Sequence, residues 1–263
     1  MLLDDVNLLF SLSGLLVGAI VGMTGVGGGS LMTPLLIAVF NVHPATAVGS
    51  DLLYAAATKA VGTAVHGRSN SVNWQVVRRL AAGSVPAALL TFLIMIQTGG
   101  TASKGGLLVV ALGAVLLMTS VSMLFRDRIV GLLLVRMEGL SKATTANLTV
   151  LTGAILGILV TLTSVGAGAI GVTVLMVLYP RLPTVRIVGS DIAHAVPLTL
   201  VAGLGHWIFL EGVDWAMLLS LLIGSVPGII LGSLLAPRLP ERVLRTLLAI
   251  VLALVALKLF GLF

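Results

Sequence analysis

The sequence predicts an all-α polytopic integral membrane protein. It reads as a single membrane domain over residues 1–263, built from two inverted-topology repeats that are each a broken, re-entrant helical hairpin followed by three transmembrane helices. Three observations point there. Of the 263 residues, 58% are hydrophobic and 9% charged, with a mean hydropathy of +1.19, whereas a water-soluble domain carries roughly a quarter of its residues as charges. Apolar runs recur along the whole chain at about the 20 residues needed to cross hydrocarbon. The chain also contains itself twice. Gly14 falls on Gly153, Gly18 on Gly157, Thr24 on Thr163, Gly27 on Gly166, His66 on His206 and Trp74 on Trp215. The block Val48-Gly49-Ser50-Asp51 matches Val188-Gly189-Ser190-Asp191, and Gly83-Ser84-Val85-Pro86 matches Gly224-Ser225-Val226-Pro227. Identical four-residue blocks in the same order mark structural repeats, about 1–130 and 140–263.

Composition also excludes. With no cysteine the chain has no disulfide, thiolate metal site or cysteine nucleophile. The net charge of +6 does not point to nucleic acid, because the basic residues stand singly or in pairs at the ends of apolar runs, where they report topology. No Walker A pattern occurs, and no cofactor is expected. The first run follows Asp4 and Asp5 rather than a basic stretch, with no small-residue cleavage site, so it is expected to be retained. Trp74, Trp215 and Tyr179, at segment ends, read as interfacial anchors.

Apolar segments read at about 6–24, 31–40, 45–66, 74–97 and 104–124, then at about 143–163, 170–180, 186–209, 214–236 and 242–262. Five traversals per half is an odd number, which turns the second half upside down. Loop charges agree. With the central connection (Arg126, Arg128, Arg136, Lys142) in the cytoplasm, Arg68, Arg78, Arg79, Arg181, Arg186, Arg238, Arg242 and Arg245 also fall inside, twelve basic residues in all. Lys104 and Lys258 fall outside with Asp4, Asp5, Glu211 and Asp214, and both termini are then external.

Segment 6–24 carries Gly14, Gly18 and Gly22 at four-residue spacing, and its counterpart has Gly153 and Gly157; such stripes let helices pack closely. Each segment then breaks, at Thr24-Gly25-Val26-Gly27-Gly28-Gly29-Ser30 and at Thr163-Ser164-Val165-Gly166-Ala167-Gly168-Ala169. Irregular backbone at membrane depth is tolerated where it lines a cavity or is buried in protein. The short segments beyond the breaks would be about 15 Å long as helices, half a bilayer, so each pair reads as a hairpin with a deep tip. Pro34 suits a first helical turn.

Segment 45–66 holds Ser50, Asp51, Tyr54, Thr58, Lys59 and His66, and its counterpart Ser190, Asp191, His194, Pro197, Thr199 and His206. Ionisable groups within apolar runs are expensive and point to function. Asp51 and Asp191 fit two readings, a structural polar contact stabilised by the helix dipole or carboxylates that carry a proton or cation along the permeation path. Lys59, matched by Thr199, is either an internal ion pair with one of them or a cation facing an anionic substrate. His194, one turn after Asp191, is a helix contact or a protonatable relay. His66 and His206, at segment ends, read as interfacial. Pro86 and Pro227 kink their helices as scaffold or hinge. Segments 104–124 and 242–262 read as lipid-facing packing helices.

A helix starting straight after Gly27-Gly28-Gly29-Ser30 aims its free N–H groups and positive dipole end at the tip, and Thr24, Ser30, Thr163 and Ser164 add hydroxyls. Two such tips meeting from opposite sides near the midplane suit an anion. Its candidate binding residues are Thr24, Gly25, Gly27, Gly28, Gly29, Ser30, Thr163, Ser164, Gly166 and Gly168 with Lys59, Ser50 and Ser190; Asp51, Asp191 and His194 are candidates for proton or ion coupling.

The pattern Gly18-x-x-x-Gly22-x-x-Gly25-x-Gly27-Gly28-Gly29, the following Pro34, the Ala47-Val48-Gly49-Ser50 block and their repetition near 157–191 resemble the TauE/SafE family of sulfite exporter-like permeases over nearly the whole chain. The resemblance implies a transporter of a bacterial-type cytoplasmic (inner) membrane that carries a small sulfur-containing anion such as sulfite, an organosulfonate or a related carboxylate. The second copy departs from it, with Ala167 and Ala169 in place of Gly28 and Ser30. Beside a secondary transporter stand an anion channel of the same architecture and an intramembrane hydrolase using Ser30 or Ser164, although no Gly-x-Ser-x-Gly elbow is present. The partners allowed are a small anion, the bilayer, a coupling proton or cation and a second copy of the chain in a homodimer.

Overall fold

The computed structural model of the chain describes residues 7–24, 29–68, 70–97, 105–137, 139–235 and 241–262. Among them the regular structure is helical: α1 (Leu8–Thr24), α2 (Gly29–Ala38), α3 (Pro44–Arg68), α4 (Trp74–Gln97), α5 (Gly105–Leu124), α6 (Arg126–Met137), α7 (Lys142–Thr163), α8 (Ala169–Leu178), α9 (Thr184–Leu210), α10 (Trp215–Leu235) and α11 (Glu241–Leu259). Ten of these follow the apolar segments of the sequence. The eleventh, α6, replaces what reads as a basic connection, and it is turned 75° from α5. Its alternation of arginines with Ile129, Val130 and Leu132–Leu134 lets one side pack on α8 while Leu132 stays exposed.

Among the described residues, α4, α7, α9 and Trp215–Gly232 of α10 are long and apolar enough to cross a membrane, and the bent pair α5 and α6 makes a fifth span if taken as one. The expectation of five traversals per half is larger. The difference lies in α1, 17 residues long, in the short helices α2 and α8, ten residues each, and in α3 and α11, whose charged residues dilute an otherwise apolar run. Pro34 sits inside α2, not in its first turn, because the helix begins at Gly29. Helices α4 and α10 continue through Pro86 and Pro227.

Small residues decide the packing. An added Cβ at Gly14 or Gly18 of α1 would strike the backbone of Leu221 or Ser225 in α10, and one at Gly153 or Gly157 of α7 would strike Leu80 or Ser84 in α4. The reverse contacts are as close, Gly224 against Ser11 and Gly83 against Val150. In each pair the contacting residues rise together, so the helices run parallel with backbones nearly touching. Helices α3 and α9 cross antiparallel, with Gly203 on Leu53 and Gly62 on Ile192. Helices α5 and α11 pack on each other, the Ser120 hydroxyl donating to Ala249 O at 2.7 Å. Their inner residues Leu112, Leu116 and Leu252 are buried while Val121 and Leu247 are exposed, so each of these helices is lipid-facing on one side.

The bundle has two chemically different ends. At one, Arg79 donates to Tyr179 OH at 3.1 Å, Arg126 Nε to Met176 Sδ at 3.3 Å, and Arg245 pairs with Asp127 at 2.8 Å. At the other, the amide of Asp214 donates to Ser50 Oγ at 3.0 Å, Asn7 N to Ser220 Oγ at 3.1 Å, and Lys258 Nζ to Ala38 O at 3.1 Å. Phe40, just past α2, lies 4.8 Å from Phe10 near the start of α1. Tyr179, just past α8, bonds Thr149 early in α7 at 2.8 Å. Each short helix therefore comes back to the end its long partner left. Trp74 and Trp215 are exposed at helix starts, and Trp215 meets Trp207 edge to face at 5.1 Å.

Candidate substrate site

The break between α7 and α8 is held by local chemistry. Thr163 Oγ1 donates to Leu159 O at 2.7 Å and accepts from the Val165 amide at 3.2 Å, which stops the helix and turns the chain. Ser164 follows in the left-handed region (φ 60°), its amide still bonded to Val160 O. Gly166 and Gly168 have φ of 125° and 122°, values that favour residues without a Cβ. The Ser164 hydroxyl is buried and makes no hydrogen bond among the described residues.

Two carboxylates flank this break. Asp51 of α3 is fully buried; its Oδ2 accepts the Thr33 amide at 3.1 Å and the Thr33 hydroxyl at 2.5 Å, while Oδ1 stays unpartnered. Ser164 lies beside it without closing a bond. Asp191 of α9 approaches the Gly168 amide at the start of α8. Its Oδ1 rests where a side chain on Gly171 would be and likewise has no hydrogen-bond partner. The side chain nearest this contact is Leu156 of α7.

Lys59 sits near the middle of the α3–α9 crossing, between the Leu53–Gly203 and Gly62–Ile192 contacts. That place puts it within Coulombic reach of Asp191 and of Asp51. It is 6% exposed and has no hydrogen bond or ion pair with a described residue. The direct ion pair that its sequence position allows is thus absent among the described residues. His194 is fully buried, with Nε2 2.8 Å from Ser84 Oγ and Nδ1 unpartnered. Although one turn from Asp191, it is turned to α4, and its charged neighbour is Lys59.

Several expectations change. His206 is not interfacial: it is fully buried, with Nε2 2.9 Å from Thr161 O and its ring edge to face with Phe92 at 5.4 Å, because α9 continues to Leu210 and buries the turn before its end. Only the backbone place of His66 on α3 is described. Ser50 and Ser190 are occupied elsewhere. Ser50 accepts the Asp214 amide, and Ser190 accepts the Asn73 amide at 2.8 Å while donating to Arg186 O at 2.6 Å. They brace the connections between α9 and α10 and between α3 and α4. The Thr33 amide of α2 is held by Asp51, and Asp191 leans on the Gly168 amide at the start of α8. Gly25, Gly27 and Gly28 lie outside the described residues, and Thr24, Gly29 and Ser30 are described by backbone alone, as the end of α1 and the start of α2.

Thr33, Ser84 and Gly171 complete the cluster and escape notice in the sequence. Thr33 carries one signal, since it stands 140 places before Thr173, but Thr173 bonds Ala169 O and Ser122 instead of Asp191.

Several apolar spans around a buried cluster of two aspartates, a lysine and a histidine, gathered at a helix break, define a multi-pass helical membrane protein with a polar interior. The chain belongs to the sulfite exporter TauE/SafE family, whose model matches residues 10–259. It is 39% identical over 252 residues to a probable membrane transporter protein, YjnA, of Bacillus subtilis (strain 168), covering 94% of this chain and 97% of that protein. It is 28% identical over 229 residues to a probable membrane transporter protein of Xylella fastidiosa (strain 9a5c), covering 86% and 83% of the two. No solved structure matches it. The chain is a membrane transporter and not an enzyme.

Proposed function

We propose that the protein is a secondary transporter that carries a small sulfur-containing oxyanion, sulfite or an organosulfonate, across a bacterial cytoplasmic membrane by alternating access. The observation that carries this reading is the cluster at the second break. Among the described residues, Ser164 Oγ is a buried donor that makes no hydrogen bond and Lys59 a buried cation with no bonded anion. An oxyanion between them would accept from both, and it would satisfy groups whose burial otherwise costs several kcal/mol. Gly166 and Gly168 bring backbone amides to the same place, and Gly25, Gly27 and Gly28 of the first tip are assigned the matching role from the other side. Asp51, Asp191 and His194 serve coupling.

Two repeats, about 1–130 and 140–263, supply the moving parts. Contacts that exchange between halves support this: Gly14 on Leu221 answers Gly153 on Leu80, and Asp214 on Ser50 answers Asn73 on Ser190. The antiparallel α3–α9 crossing fits a pseudo-twofold axis in the membrane plane, so that the hairpins re-enter from opposite faces and rocking of one repeat against the other exposes the site alternately.

Flux into proteoliposomes tests the activity. Sulfite or a sulfonate should cross faster than in empty vesicles and show counterflow, which a carrier displays and an open channel does not; silence towards sulfite, sulfate, thiosulfate and sulfonates together would end the reading. Topology has its own test, since the native chain lacks cysteine. A membrane-impermeant maleimide should label Leu262→Cys in intact cells and Leu140→Cys only after permeabilisation. The opposite pattern would reverse the orientation, and labelling of both in intact cells would refute inversion.

A further inference from the structure

We propose that Asp191 is a tethered stand-in for the substrate: its carboxylate fills the anion's place at the start of α8, and a small oxyanion binds there only as that carboxylate takes up a proton and withdraws. This rests on the anion-transport reading and adds the coupling to it, one proton taken up for each anion bound.

Four observations meet at this point. Asp191 approaches the Gly168 amide at the first turn of α8, the position where backbone N–H groups and the helix dipole favour negative charge. Its Oδ1 is buried and unbonded among the described residues, as is that of Asp51, but the donor found for Asp191 is the Gly168 amide alone, whereas Asp51 Oδ2 takes two from Thr33, so Asp191 is held less firmly. Gly171 leaves open the space the carboxylate fills, and the same space becomes available when it turns away. Lys59 is within Coulombic reach of Asp191, so a monoanionic guest and a neutral Asp191 preserve the local charge that the ionised Asp191 supplies alone.

The surroundings name what else could titrate. From α3 the charged groups are Lys59 and, farther off, Asp51. From α8 Asp191 meets the Gly168 amide and the Gly171 backbone, and from α7 the neighbour is Leu156. On its own helix His194 points to Ser84 of α4. Asp191 is the group whose place overlaps that of the anion.

The sign follows directly. Raising the pH ionises Asp191, strengthens the resident competitor and weakens substrate binding. In Asp191→Asn the competitor carries no charge at any pH. Sulfite itself titrates near neutrality, but its titration is common to both proteins and cancels when their affinities are compared. The ratio of sulfite affinity, D191N over native, should lie near one at pH 5.5 and rise to about tenfold or more by pH 8.5, a tenfold ratio being about 1.4 kcal/mol of competition removed. D191N should also lose pH-driven accumulation while keeping counterflow, and Asp127→Asn, at the exposed ion pair with Arg245, should leave the native pH dependence of binding in place. A ratio that does not change with pH, or loss of sulfite binding by a folded D191N at every pH, would overturn the proposal. A measurement on the native protein guards against a variant that does not fold. At pH 8.5, mixing native protein in weak buffer with methanesulfonate, a monoanion that does not titrate in this range, should take up about one proton per site occupied, by mass-action linkage. Binding without uptake overturns the inference and leaves the transporter reading standing; native protein that neither binds nor moves any of the anions removes both.

Discussion

Gly83→Ala should lower the melting temperature of the detergent-purified protein by about 6–12 °C, on the scaling of about 2–4 °C per kcal/mol for soluble domains of this size. A methyl at Gly83 would overlap Val150 O and lie 2.7 Å from the Ala154 amide. Both are backbone atoms of α7, which cannot rotate aside as a side chain can, so α4 and α7 must move apart along their whole interface. Overpacking costs about 1–3 kcal/mol where side chains adjust; here the upper end applies, about 3 kcal/mol. Gly224→Ala should behave alike, since its methyl meets Ser11 O and the Leu15 amide at 2.8 Å. Gly131→Ala is the contrast. Nothing lies within 4 Å of the added methyl, and alanine is the better helix former by about 1 kcal/mol, so its melting temperature should hold or rise. Equal shifts for Gly83→Ala and Gly131→Ala would show that close backbone approach does not hold these helices together.

Lys59→Met should damage both stability and binding, and the two losses can be separated. Removing the cation takes the positive neighbour from two buried carboxylates, Asp191 and Asp51, and an uncompensated buried charge costs several kcal/mol until it takes up a proton. The substrate would also lose a charge-assisted contact of about 1.5–3 kcal/mol, or roughly ten- to a hundredfold in Kd. The double variant Lys59→Met, Asp191→Asn removes the stranded charge with the cation. It should regain most of the lost stability while binding sulfite more weakly than D191N alone. Melting curves and sulfite titrations of the four proteins close the cycle. Full recovery of affinity together with stability would mean that Lys59 acts as a structural counter-ion and does not touch the anion.

Both predictions come from close contacts across long sequence distances, and this is where sequence and structure part. The helices follow the apolar runs within a few residues because burial of backbone polar groups in hydrocarbon leaves a chain of this composition little choice but helix. The repeated Gly-Ser-Val-Pro and Val-Gly-Ser-Asp blocks announce that the halves share a plan, and the glycine stripes at four-residue spacing announce close packing. Helix α6 escapes because a basic connection and a short amphipathic helix have similar composition, and the difference depends on whether α8 is there to cover the apolar side.

The roles of individual polar residues were much less legible. Ser50 and Asp51 are adjacent in a repeated motif and look alike as candidates, yet on a helix neighbouring side chains diverge by about 100°. One braces a loop at the bundle end and the other enters the interior. His206 reads as a segment-end residue until α9 extends past it and Phe92 covers it.

The amino-acid order alone determined that this chain lives in a membrane, that it is helical, where the helices other than α6 run and where the apolar runs break, since hydropathy and glycine content act within a few residues of one another. Which groups converge was decided by tertiary structure. Asp191 meets Gly168, and Asp51 meets Thr33 and comes beside Ser164, only because α3 and α9 cross and the short helices fold back, and such contacts depend on geometry that no local pattern encodes.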